Sequence, residues 1–149
     1  MPYIKPRNLH SQHGVGYHGS FLGVADGALV VNDVVIVSGV SGDRLKFTKA
    51  DANVANKRAG LMGIADHAAP DGGSVRIVSH KIITTAIDTS GSALGAPVYL
   101  SDTAGGHVIS APTEDVIIGN VLSLHATTGQ VVIAPAQCIG AVSGQEWTA

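Results

Sequence analysis

A chain of 149 residues suffices for one domain that buries about 70% of the surface its unfolded form exposes, so neither metal nor disulfide is required for folding. Only 13% of its residues are charged, against about 25% in an average globular protein, and it holds 19 glycines. The net charge of −2 and the six aromatic residues exclude a basic nucleic-acid footprint and a base-stacking platform, and the one cysteine excludes an internal disulfide.

A surface so poor in ions implies that much of the exterior is covered by protein, either copies of the chain or another partner. Charge is also uneven along the sequence. All nine Lys and Arg residues lie at or before Lys81, against six acids there, which leaves about +3; beyond Lys81 come five acids and no base, −5. Such a split either fixes orientation in an assembly or is a chance feature of a solvated surface.

Residues 1–19 hold three histidines, two prolines and two tyrosines with little continuous hydrophobicity, and read as an extended arm. The segment from Met1 to Arg7 has no apolar run and no small-residue cleavage site, so no secretory leader is expected. With the unpaired Cys138, this suits synthesis in a reducing cytoplasm. Apolar runs of a few residues are too short for a membrane-spanning helix.

From Ser20 the composition shifts to Val, Ile and Thr in short runs. Strands are predicted over 21–25, 28–31, 34–40, 44–48, 61–66, 74–79, 81–87, 97–101, 108–110, 116–125, 130–134 and 137–142. Turn signals separate them: Asp26-Gly27, Asn32-Asp33, Ser41-Gly42, Asp71-Gly72-Gly73, Gly105-Gly106 and Thr128-Gly129. The expected fold is all-β, a compact barrel (β-tulip-like) or sandwich over 20–142, with the arm before it, a tail over 143–149 and at most one short helix. That helix falls within 48–58, with Asp51 as N-cap and Ala52, Val54, Ala55 and Ala59 as its apolar face. An internal echo pairs Gly63-Ile64-Ala65 with Gly73-Ser74-Val75-Arg76-Ile77, and Gly119-Asn120-Val121 with Gly129-Gln130-Val131-Val132-Ile133. It reads as two ordinary hairpins or as a duplicated half-barrel.

Groups able to do chemistry are scattered. His10, His13 and His18 lie close in sequence, but on an arm with no rigid element to set metal geometry, so solvated or interface histidines are expected and no metal or cofactor. His67, His80, His107 and His125 stand singly near strand ends. Asp66 and His67 are adjacent and would point to opposite faces of a strand, which argues against a dyad. No Gly-x-Ser-x-Gly or phosphate-cradling glycine loop occurs, and Glu114-Asp115 reads as a solvated pair. Cys138, flanked by apolar residues, reads as a small core hydrophobe. No catalysis is expected.

Three stretches carry a likeness: Leu29-Val30-Val31-Asn32-Asp33-Val34-Val35; Gly60-Leu61-Met62-Gly63-Ile64-Ala65 leading to Gly73-Ser74-Val75-Arg76-Ile77; and Gly95-Ala96-Pro97-Val98-Tyr99-Leu100-Ser101 with Gly105-Gly106, Gly119-Asn120-Val121-Leu122 and Val131-Val132-Ile133. Residues 21–135 thereby resemble the capsid cement (decoration) proteins of tailed bacteriophages. The resemblance implies a compact β-barrel that forms a homotrimer on the outer surface of the virion capsid, clamps neighbouring major capsid protein subunits of the expanded shell, and is made in the host cytoplasm. It implies no membrane and no nucleic-acid partner. Candidate shell contacts are Tyr3, Lys5, Arg7 and Tyr17 on the arm, and a basic group of Arg44, Lys46, Lys49, Lys57 and Arg58. The alternative is a trimeric head-fibre or cell-surface carbohydrate-binding module.

Overall fold

The computed structural model describes residues 19–135. The arm apart from Gly19, the strand read over 137–142 and the tail over 143–149 lie outside the described residues.

The described chain is all-β, as its sequence implies, and arranges its strands in two layers. Strands β1 (Ser20–Ala25), β2 (Val34–Ser41), β3 (Arg44–Lys49), β4 (Met62–Ala65) and β5 (Ser74–Val78) close a barrel in the order β1-β3-β2-β4-β5. Closure comes from β1, which runs antiparallel to β5 (Phe21 opposite Ile77) and parallel to β3 (Val24 opposite Lys46). Strands β6 (Lys81–Thr84), β7 (Pro97–Leu100), β8 (His107–Val108), β9 (Ile117–Ser123) and β10 (Gln130–Ile133) form an open sheet in the order β6-β10-β9-β7-β8.

The run Val34-Val35-Ile36 shows how one sequence segment serves both layers. Side chains alternate across a strand, and here both sets are buried. Val35 packs inside the barrel with Ala25, Leu29, Phe47, Ala65, Val75 and Ile77. Val34 and Ile36 face outward, with Ala50, Ala52, Met62 and Ile64, onto Ile83, Val98, Leu100, Ile118, Val121, Val131 and Ile133 of the open sheet. A continuous apolar run marks a strand buried on both faces. The seam is stitched by backbone: Val34 N–H donates to Gly105 O (2.9 Å), Gly105 N–H to Ala50 O (2.8 Å) and Ala52 N–H to Ser101 O (3.0 Å). Gly105 has φ +83°, and a Cβ there would lie 2.7 Å from an Asp33 carboxylate oxygen, so the stitch needs glycine.

Two expectations change. In place of a helix over 48–58, β3 takes Thr48 and Lys49 and only a 3-10 turn, Ala55–Lys57, remains. Ala50 and Ala52, two apart, are both fully buried in the seam, and the Asp51 carboxylate accepts the Asn53 N–H (2.9 Å). An Asx turn thus replaces a helical N-cap. The predicted strand over 28–31 is reduced to one bridge, Leu29 to Ala69. Asn32 sits at φ 72° and the Asp33 carboxylate captures the Val30 N–H (2.8 Å), so the chain turns where it would otherwise extend.

Both halves of the sequence echo are antiparallel hairpins, β4 with β5 and β9 with β10. Their glycines do the same work: a Cβ on Gly63 would strike the Ile77 side chain and the Val78 carbonyl, and one on Gly119 the Val132 carbonyl. Each permits close approach of the opposing strand.

Phe47, fully buried at the barrel centre, lies over Gly23, where a Cβ would come within 2.8 Å of its ring. Phe47→Ala is expected to cost about 3–5 kcal/mol, read as a lower urea midpoint. Gly63→Ala is expected to lower the midpoint through backbone collision, although it adds apolar surface.

Candidate functional site

Each described histidine is held by local hydrogen bonds. His67 Nε2 accepts the Arg76 N–H (3.1 Å) while Nδ1 lies 2.9 Å from Ala68 O, which fixes one neutral tautomer with Nδ1 as donor. Its sequence neighbour Asp66 pairs instead with Lys81 Nζ at 3.1 Å. His125 Nδ1 accepts the N–H groups of Thr127 and Thr128, both at 3.1 Å, and so shapes the β9–β10 turn. His80 Nδ1 lies 3.2 Å from Ser79 Oγ. Among the described residues no three His, Cys, Asp or Glu side chains converge as metal ligands. The Asp88 carboxylate accepts the Ser90 hydroxyl (2.6 Å) and N–H (2.9 Å), which lowers its pKa; this is a turn motif.

Among the described histidines, the half-buried His107 is the one with a resolved shift. Its Nε2 lies 3.0 Å from Thr85 Oγ1, which also accepts the Ile87 N–H (3.1 Å). Thr85 is 2% exposed, so this bond ties the half-buried end of β8 to the buried residue that follows β6. Burial pushes the His107 pKa below the ordinary histidine value.

The candidate basic residues do not form one group. Arg44 and Lys46 lie on the outer face of β3, where Arg44 Nη1 donates to Ser74 Oγ (2.8 Å) and Lys46 Nζ lies 3.9 Å from Asp26 Oδ1. Lys49 belongs to the seam: its Nζ is 3.7 Å from Asp33 Oδ2, whose side chain is 10% exposed. Arg58 donates to Ala52 O (3.3 Å) and lies 3.9 Å from Glu114 Oε1, and Lys57 sits in the 3-10 turn. Arg44 and Lys46 remain on an open strand face, beside Leu22 and Val24 of β1. Tyr3, Lys5, Arg7 and Tyr17 lie outside the described residues.

Composition alone did not locate a second surface, the outer face of the open sheet. Ile82, Val132, Asn120 and Pro97 stand in register across β6, β10, β9 and β7. Tyr99 opposite Ile117, and Leu122 along β9, extend the row. Ile82 is 59% and Ile117 60% exposed. Thr84, Gln130 and Val108, the last opposite Tyr99, are its other members, so the described strands place no charged side chain on this face. An antiparallel sheet with one wet face normally alternates apolar with polar residues; here both sides are largely apolar. The signal for it in sequence is the double apolar parity of Lys81-Ile82-Ile83 and Val131-Val132-Ile133.

The architecture is that of a β-barrel with an apposed sheet, and it recurs in a solved structure. The chain is similar to the N base of head fibre gp8.5 of bacteriophage phi29, with a TM-score of 0.52 and 13% identity, over 80% of this chain and 96% of that one. At that identity the likeness is one of fold. No family model and no curated protein matches the sequence.

Two outcomes follow. The stability contributed by neutral His107 is complete above its unfolded value of about 6.5 and is lost as pH falls from there through the lower folded value; the urea midpoint is expected to drop from pH 7.5 to 5.5, and less in His107→Gln. Lys49→Ala is expected to cost about 0.5–1 kcal/mol by removing the cation beside the Asp33 carboxylate, which keeps its Val30 N–H, whereas Lys46→Ala should change stability by under about 0.5 kcal/mol.

Proposed function

We propose that the chain is a structural protein of a phage head, one that forms a homotrimer on the outer surface of the capsid and binds the major capsid protein of the expanded shell as cement. The observation that supports this reading most is the fold shared with a phage head-fibre base over 80% of the chain. It agrees with the sequence likeness to cement proteins and with a chain only 13% charged. The role needs no catalytic group. It needs rigid strands, a self-complementary face and a footprint on a repeating lattice.

The uncharged outer sheet face is assigned here to contact between copies. Beyond Lys81 the chain carries acids and no base, so identical copies repel where those acids meet; Ile82, Val132, Pro97 and Leu122 offer contact without that cost. The shell footprint is assigned to the amino-terminal arm with Tyr3, Lys5, Arg7 and Tyr17, and to Arg44 and Lys46, whose strand face is open to a partner. Three arms on one three-fold site would gain from effective concentration.

A second reading, a trimeric head-fibre base, draws on the same structural likeness. Occupancy distinguishes the two: cement fills the three-fold and quasi-three-fold positions of the shell, while a fibre base carries a further shaft.

The purified chain is expected to have a mass of three times 15.1 kDa. Ile82→Glu should convert it to a folded monomer, because the side chain points to solvent in the single chain. Deleting residues 1–18 should weaken binding to emptied heads of the phage that encodes the chain while leaving the trimer intact. Undiminished binding removes the arm from the account, and a wild-type monomer with no affinity for shells removes the proposal.

A further inference from the structure

Positive charge on the barrel surface is gathered across three neighbouring strands, β3, β1 and β5. Val24 of β1 stands opposite Lys46 of β3 on one side and Ser74 of β5 on the other. Two residues back along β1, Leu22 stands opposite Arg76. Because β1 and β3 run parallel, the same step leads from Lys46 to Arg44. Leu22 is therefore flanked by an arginine on each side. These residues share the outward parity, since the alternate set, Ala25, Phe47, Val75 and Ile77, fills the barrel interior.

Hydroxyl groups hold both guanidiniums in place. Arg44 Nη1 donates to Ser74 Oγ (2.8 Å), which carries its side chain across β1, and Arg76 Nη1 donates to Ser20 Oγ (3.4 Å). A hydroxyl orients a cation without cancelling its charge, and each guanidinium has five N–H donors. Among the described residues Arg44 forms no ion pair. Lys46 has Asp26 at 3.9 Å, a loose pairing of two exposed side chains. The three strands contain no acid; Asp26 and Asp43 lie in the turns that follow β1 and precede β3. On β2, Gly39 stands opposite Lys46 and Ser41 opposite Arg44, so no bulky side chain screens the face on that side. Leu22 is 46% exposed at its centre.

We propose that this face binds an extended acidic segment of a protein partner, in which two carboxylates flank an aliphatic side chain. The carboxylates meet Arg44 and Arg76, and the aliphatic group covers Leu22. A carboxylate matches the planar guanidinium fork, and only an apolar group gains by covering a leucine. Side chains two apart in an extended chain share a face about 7 Å apart, so an acid two residues to each side of the aliphatic one fits this row. Three cations around an apolar centre are too few to track a nucleic-acid backbone. The inference rests on the capsid reading only for where such a segment is found, on the major capsid protein. It adds Arg76 and Leu22 to the footprint, which the sequence did not connect with Arg44.

The probe is the capped peptide acetyl-Glu-Ser-Leu-Ser-Glu-amide, titrated into isotope-labelled full-length protein while amide NMR shifts are followed. Shifts are expected at Leu22, Arg44 and Arg76, and should vanish in about 0.5 M salt and with Gln in place of both Glu residues. Arg44→Glu and Arg76→Glu should each weaken binding to emptied heads at least about tenfold, while Lys57→Glu, in the 3-10 turn, should not. Should Arg76→Glu fail to fold, Arg44→Glu at its exposed position carries the test alone. The absence of peptide-induced shifts at these residues overturns the proposal, and so does inorganic tripolyphosphate binding there more tightly than the peptide. Heads that bind wild type and Arg44→Glu equally overturn it and leave the capsid reading standing. Peptide binding without head binding supports this face and removes the capsid reading instead.

Discussion

The structure depends on one strand being buried on both sides. In β2, Val35 completes the barrel interior while Val34 and Ile36 form the floor on which the second sheet rests. Burying an aliphatic side chain is worth about 1.5–3 kcal/mol, so these three consecutive residues contribute to two cores at once. The Val34 N–H bond to Gly105 ties the same segment to the β7–β8 turn. Neither layer buries all of its apolar surface without the other. The barrel's outer wall at Val34, Ile36, Met62 and Ile64 is apolar, and the open sheet has the matching inner face.

That arrangement accounts for the distribution of polar groups. Among the described residues the buried polar side chains sit where the layers turn or join: Thr85 is tied to His107 and the Ile87 N–H, Thr89 to the Ser123 and His125 carbonyls, Asp33 to Val30 and Lys49, and Ser101 to the Thr103 N–H, while the Asn32 Oδ1 in the turn before β2 is buried without a partner. The described histidines, His67, His80, His107 and His125, are turn and strand-end hydrogen-bonding groups. The described surface carries an uncharged sheet face centred on Ile82, Val132 and Pro97, and a barrel face where Arg44 and Lys46 flank Leu22 and Val24. Two such unlike faces suit a protein that contacts copies of itself on one side and a different partner on another, which is the reading proposed above.

Much of the strand pattern was legible in the residues because β-branched runs and glycine-containing turns are local signals. Their period survives in the observed β2, β3, β5, β7, β9 and β10. The errors share a cause. At 48–58, alanines and lysines favour a helix locally, yet Ala50 and Ala52 are needed as small plugs in the seam, and tertiary burial overrides propensity. At 28–31, Leu29 and Val30 look like a strand, but the Asp33 side chain competes for the Val30 N–H and turns the chain. The basic residues from Arg44 to Arg58 looked like one patch because they are near in sequence. Strand alternation and the seam send Lys49 to Asp33 and Arg58 to Glu114, and only Arg44 and Lys46 share an open face.

Composition and local pattern determined that this chain is all-β, rich in tight turns and sparing of charge. Those properties are fixed by side-chain chemistry and by spacing along the chain. The tertiary structure decided that the strands divide into a closed barrel and an apposed sheet, which apolar parity is hidden and which is shown, and which cations are already paired. These depend on contacts between residues far apart in sequence, such as Val34 with Gly105 and Asp66 with Lys81, and no local pattern encodes them.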